Sequence, residues 1–162
     1  MRSCGECSAC CEGWLHDDSL EMMPGRACKH CTGAGCGIYD SRPEQPCRTF
    51  RCAWLKREVD FDDEMRPDRC GAILIDDRPF KQWEVLRIIP VGVSVPKATL
   101  QRAITFAKDN GFSVTWAERR ENYAEHPLEV RVGTAGSEEF SIQMKWDVLP
   151  EDVWRFSSVS AS

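Results

Sequence analysis

The chain has no long apolar run. No stretch approaches the roughly 20 residues that a membrane-spanning helix needs, so no membrane role is expected. The opening MRSCGECSACCEGW lacks the apolar core of a secretory signal, and no lipid-anchor motif is present, so the expected compartment is cytoplasmic. Positive charge is also in short supply: 21 Lys and Arg stand against 26 Asp and Glu, the net charge is −5, and no basic stripe occurs. Such a chain is poorly suited to gripping phosphate backbones, which argues against nucleic acid as a partner. Residues 1–56 lack something more local, since neither helical nor alternating apolar periodicity runs through them for any useful length. Gly5, Gly13, Pro24, Gly25, Gly33, Gly35, Gly37, Pro43 and Pro46 punctuate them instead, which predicts loops and tight turns.

What this segment does have is cysteine. Nine of the ten cysteines lie in residues 4–52, and only Cys70 lies beyond. In a reducing compartment, so dense a pattern points to metal or redox chemistry rather than disulfides. A segment without a periodic core cannot offset its chain entropy by burial, and metal cross-links would supply the missing stability. The predicted organisation is therefore an irregular, metal-stabilised cysteine-rich lobe over 1–56, a small α+β lobe over 57–156, and a frayed tail at 157–162. The charges divide along the same line. Residues 1–56 hold seven Lys or Arg against seven Asp or Glu, so the whole net charge sits in the second part.

That second part reads as a largely antiparallel sheet with one main helix. AILID (72–76) and WEVLRII (83–89) are predicted strands joined by DRPF, with a helix as the alternative for the second. PKATLQRAITFAKDNG sets Leu100, Ala103, Ile104 and Ala107 on one helical face, with Pro96 suited to the first turn and Gly111 to the stop. FSVTW (112–116), LEVRV (128–132) and FSIQM (140–144) alternate as half-buried strands do. DVLPEDVWRF is read as a terminal turn against this unit.

CGECSACC, then CKHC, then GCGIYDSRPEQPCRTFRCAW together resemble the bacterial YkgJ-type cysteine-cluster family, described as zinc- or iron-chelating CxxCxxCC proteins. The resemblance covers roughly the first third of the chain. It implies that Cys4, Cys7, Cys10, Cys11, Cys28, Cys36, Cys47 and Cys52 are the metal- or cofactor-binding residues. Cys31 departs from the family pattern, which often has an apolar residue there, and it stands as a further ligand, a substitute for a neighbour, or a free thiol. The step from Arg42-Pro43 to Cys47 is also one residue longer. A more distant similarity reaches the cysteine-rich part of flagellin lysine methylases, a family linked to an iron–sulfur cluster. Methylation does not carry over, because no nucleotide or S-adenosylmethionine site is evident, and GAGCG has neither a strand before it nor a helix after it.

Chemistry leaves the metal open. Cys4, Cys7 and Cys10 repeat the Cys-x2-Cys-x2-Cys spacing that wraps a cubane cluster with a distant fourth ligand. Eight thiolates also make two tetrahedral four-cysteine zinc sites. The spacing and the methylase similarity favour an iron–sulfur cluster by a narrow margin over zinc. Side chains of adjacent residues diverge, so Cys10 and Cys11 are expected to serve two different centres, or different metals of one polynuclear assembly.

Other residues carry weaker expectations. Cys70 reads as a buried small hydrophobe. His16 and His30 lie near enough in sequence to join a mixed site, although cysteines already suffice, and His126 has no assigned role. Arg42, Arg48 and Arg51 flank the last cysteines and would offset thiolate charge or remain solvated. Trp14, Phe50 and Trp54 would wall the site from water or form a small core. The favoured function is a redox or cluster-dependent metal-binding protein. The alternatives are a zinc-stabilised interaction module without turnover and a metal-handling protein. No substrate, reaction or protein partner is readable, so whether the chain is an enzyme stays open.

Overall fold

The protein is represented by a computed structural model that describes residues 1–147. The fold is α+β, as the sequence predicts. Its centre is a four-stranded sheet in the order β1 (Ala72–Ile75), β2 (Val85–Pro90), β3 (Ser113–Arg119), β4 (Val130–Ala135). The outer pairs, β1 with β2 and β3 with β4, are antiparallel, while the central pair β2 and β3 is parallel. The sheet is thus mixed and, with two of its three pairings antiparallel, largely antiparallel as expected. Parallel neighbours need a crossover. Here the long helix between β2 and β3 supplies it, returning the chain to the end where β2 began.

Before the sheet, α1 (Ala53–Lys56) and α2 (Pro67–Cys70) are single turns that pack on β1. They cover the face of an otherwise exposed edge strand, and all four β1 residues are buried. The crossover helix α3 (Lys97–Asn110) lies on β2 and β3. Ala103 and Ala107 are fully buried, and Leu100 and Ile104 pack beside them, as the apolar spacing predicts. Pro96 caps its start, and Gly111 ends it at φ +76°, a left-handed conformation that glycine adopts without a Cβ penalty.

Residues 140–144, predicted as a strand, lie instead in α4 (Glu138–Asp147). The alternation of Phe140, Ile142 and Met144 is overridden by helical spacing: Phe140 and Met144 are buried four residues apart, while Ile142 is 48% exposed. Ser137 Oγ accepts the Phe140 amide at 3.1 Å, and Glu138 and Glu139 sit in the first turn, where the helix dipole favours them. The predicted terminal turn at 147–156 falls almost wholly, and the frayed tail at 157–162 entirely, outside the described residues.

Residues 1–52 hold no long element. Short turns at Cys10–Trp14 and Glu44–Arg48, kinked at Gly13 and Gln45, and small bridges such as Asp17 with Met22 organise them. They are nevertheless not without a core. Ala9, Leu15, Met22, Phe50 and Trp54 join one continuous buried cluster with Leu55, β1, β2 and α3. These apolar residues are spaced aperiodically because each docks from a different turn, so periodicity could not reveal them.

Candidate metal centre

The cysteine-rich segment and α1 close around a pocket of about 100 Å³, and all eight of the cysteines Cys4, Cys7, Cys10, Cys11, Cys28, Cys36, Cys47 and Cys52 line it. Local hydrogen bonds explain how residues so far apart converge. The Cys7 amide donates to the Cys4 carbonyl at 2.9 Å, folding the first pair into a tight turn. Cys10 and Cys11 open the following helical turn, where the Cys11 thiol donates to the Ser8 carbonyl at 3.2 Å. The chain then loops out through residues 15–26 and returns. The Cys28 amide donates to the Cys11 carbonyl at 2.8 Å, which brings the later cysteines to the Cys11 side.

That return depends on Gly13. Its φ is +100°, and a Cβ there would stand 2.1 Å from the Met23 carbonyl oxygen and 2.6 Å from that of Arg26. Only a residue without a side chain lets the loop lie this close.

The thiols fall into two neighbourhoods. The Cys10 thiol is pushed well up by burial and then by the negative charge that Cys52, Cys7, Cys4 and, last, Cys11 would carry. Cys52 is pushed up to about 12, by burial first and by Cys4 and Cys7, while the amides of Leu55 and Trp54 draw it down. Burial also raises Cys7, against the amides of Ala9 and Asp68 that point at its sulfur. On the other side, burial raises Cys11, helped by a hydrogen bond with the Cys31 thiol and by Cys31, Cys36 and Cys28. Cys47 is pushed up to about 11 by burial and then by Cys28 and Cys36, with Arg42 pulling the other way. The thiols that act on one another are thus Cys4, Cys7, Cys10 and Cys52 on one side and Cys11, Cys28, Cys31, Cys36 and Cys47 on the other, with Cys11 also acting on Cys10 where the two sides meet.

Among the described residues, no group of three or more His, Cys, Asp or Glu side chains stands in a geometry that could hold a metal ion. The donor set itself fits a thiophilic metal. No carboxylate lines the pocket, whose remaining walls are mainly apolar, and such soft donors suit zinc or iron–sulfur clusters rather than calcium or magnesium.

His30 lines the pocket, whereas His16 does not. His16 is buried with Nε2 2.7 Å from Asp18, and its Nδ1 has no hydrogen-bond partner among the described residues. His126 lies on a surface turn beside Glu129. Arg42 reaches the pocket, stacks on the Tyr39 ring at 3.8 Å and donates to the Tyr39 carbonyl at 2.7 Å. Arg48 faces away and ties the Asp40 and Arg42 carbonyls together. Phe50 and Trp54 form pocket wall, while Trp14 packs outside it against Tyr123 and Arg119. Cys70, the last residue of α2, is buried with its thiol directed at the Met65 and Ala72 carbonyls.

Sequence reasoning did not identify the backbone donors to sulfur. The Asp68 amide comes from α2, beyond the cysteine-rich segment, and amide donors leave no mark in residue identity. The GAGCG glycines also have a role that is structural. Gly33 and Gly35, at φ +80° and +122°, make the tip of a hairpin in which Cys31 faces Cys36. No family model, curated protein or solved structure matches the chain.

Proposed function

We propose that the chain is a metal-binding cysteine-cluster protein with two centres, one held by Cys4, Cys7, Cys10 and Cys52 and the other by Cys11, Cys28, Cys36 and Cys47. The observation that carries this reading is the convergence of all eight cysteines on one pocket, with the Cys28 amide bound to the Cys11 carbonyl so that the later cysteines join on the Cys11 side. Further support comes from the soft, carboxylate-free lining of the pocket. Binding would draw the sulfurs inward as each gives up its proton, so uptake is accompanied by proton release.

For the first centre an iron–sulfur cluster is the favoured occupant. Three cysteines at Cys-x2-Cys-x2-Cys spacing with a remote fourth suit such a cluster. Amides aimed at the Cys7 and Cys52 sulfurs, and the Phe50 and Trp54 walls, are the kinds of feature that tune a cluster's potential. Bound there, a cluster would supply one-electron transfer, and the chain's residues would hold it, donate hydrogen bonds to its ligands and limit water. Zinc in both centres is the second reading, favoured by the arrangement as two sets of four thiols, and would make the chain a structural or interaction module. Anaerobic purification with iron supplied, followed by iron, zinc and acid-labile sulfide analysis and an absorbance spectrum, separates them. Brown protein with labile sulfide is expected. Colourless protein with stoichiometric zinc and no iron would overturn the iron–sulfur assignment in favour of zinc.

A further inference from the structure

Cys31 is the one cysteine of the N-terminal segment that does not line the pocket. Its surroundings are nonetheless specific. It sits opposite Cys36 in an antiparallel bridge. The flanking hydrogen bonds run from the Thr32 amide to the Gly35 carbonyl at 3.0 Å and from the Gly37 amide to the His30 carbonyl at 2.8 Å. With bonds on either side and none between the two residues, Cys31 and Cys36 form a non-hydrogen-bonded pair. Opposite Cα atoms in such a pair are about 4.5 Å apart with side chains on one face. That separation lies within the window a disulfide spans, about 4.4–6.8 Å.

The hairpin is fixed in place. Thr32 Oγ1 donates to the Gly35 carbonyl at 3.0 Å and accepts the Ala34 amide at 3.2 Å. A Cβ at Gly35 would lie 2.8 Å from the Gly5 carbonyl oxygen, so the tip is pressed against the chain just beyond Cys4. The pair is therefore held facing by backbone and does not depend on a flexible loop.

We propose that Cys31 and Cys36 form a reversible disulfide under peroxide, and that this bond withdraws Cys36 from the second centre and releases its metal. The inference rests on the two-centre reading for the metal but not for the disulfide. In the first step the Cys31 sulfur attacks the peroxide O–O bond, giving a sulfenic acid and one water. In the second the Cys36 thiolate leaves the metal and attacks that sulfenic sulfur, forming the S–S bond and expelling hydroxide, which takes a proton from solvent to become the second water. Two thiols are oxidised by two electrons and one peroxide is reduced by two. A dithiol reductant reverses the bond by exchange. An ion left with Cys11, Cys28 and Cys47 has lost one of its four sulfurs and is open to competing ligands.

The test uses the full chain loaded with zinc alone and treated with hydrogen peroxide, with released zinc followed by a chromogenic chelator. The protein is then alkylated, digested with trypsin and read by mass spectrometry. Residues 30–48 form one tryptic peptide, because Pro43 blocks cleavage after Arg42, and Cys11 lies in another. The expected product is peptide 30–48 lighter by two hydrogens, with fragments locating the link between Cys31 and Cys36, and restored by reductant. Zinc should leave roughly tenfold more slowly from both Cys31→Ser and Cys31→Ala. Equal release from wild type and both variants, alkylated Cys31 after peroxide, or a link from Cys31 to the Cys11 peptide would each overturn the proposal. A chain that takes up no zinc would contradict the metal reading instead, and the same digest still decides whether the disulfide forms.

Discussion

Two buried charges tie distant parts of the chain together, and each has a measurable consequence. Arg119 at the end of β3 donates Nη1 to the Pro90 and Gly92 carbonyls and Nη2 to the Trp14 carbonyl at 2.9 Å, with its guanidinium over the Trp14 ring. It is 4% exposed, and burial pulls its pKa down to about 10, still charged at neutral pH. Arg119→Ala strands three carbonyls from a donor they share, so the variant should lose about 3 kcal/mol, seen as a lower urea midpoint. Arg119→Lys should recover little of it, because one ammonium does not reproduce the planar fork.

Asp76, just past β1, is the second. Burial raises its pKa, but ion pairs with Lys56 and Arg57 outweigh burial and leave it below the ordinary 3.8. A carboxyl with a lowered folded pKa adds stability that is complete above its unfolded value and is lost as pH falls through the folded one. Asp76→Asn should therefore cost about 2 kcal/mol at neutral pH. The gap from wild type should narrow as pH drops below 3.8, checked by urea unfolding across that range. A gap that stays constant into acid would mean that the ion pairs contribute nothing.

At the scale of elements, legibility followed the physics of each segment. Helix α3 was readable because fourteen residues carry one apolar face between Pro96 and Gly111, and tertiary contacts agree with that face. The short alternation at 140–144 was misleading because three apolar residues in five fit either period, and Ser137 with two glutamates decided for a helix. Parallel pairing of β2 with β3 left no local trace, since it arises from where α3 returns the chain. In the cysteine-rich segment the element that matters is the Met23–Arg26 turn packed on Gly13. Gly13→Ala should displace this turn and with it the hydrogen bond of Cys28 to Cys11. Metal affinity of the second centre should fall roughly tenfold or more while the first is largely kept, since about 1.4 kcal/mol of displacement cost is enough for that factor. Titration with a competing chelator reads this directly, and equal weakening of both centres would contradict the linkage.

Across the whole molecule, the sequence indicated which thiols line the pocket through a cysteine pattern that resembles a known family's. It did not indicate that the segment carrying them shares a core with the sheet, since Ala9, Leu15, Met22 and Phe50 each arrive from a separate turn. Nor did it reveal the amides of Asp68, Leu55 and Trp54 directed at sulfur. The central claim is that adjacent cysteines serve separate centres, and metal content per chain in Cys10→Ser and Cys11→Ser, purified anaerobically beside wild type, tests it most directly. Each variant should keep about half the wild-type metal, with the two losing different spectroscopic components. Loss of all metal from both variants alike, or full retention in either, would contradict it.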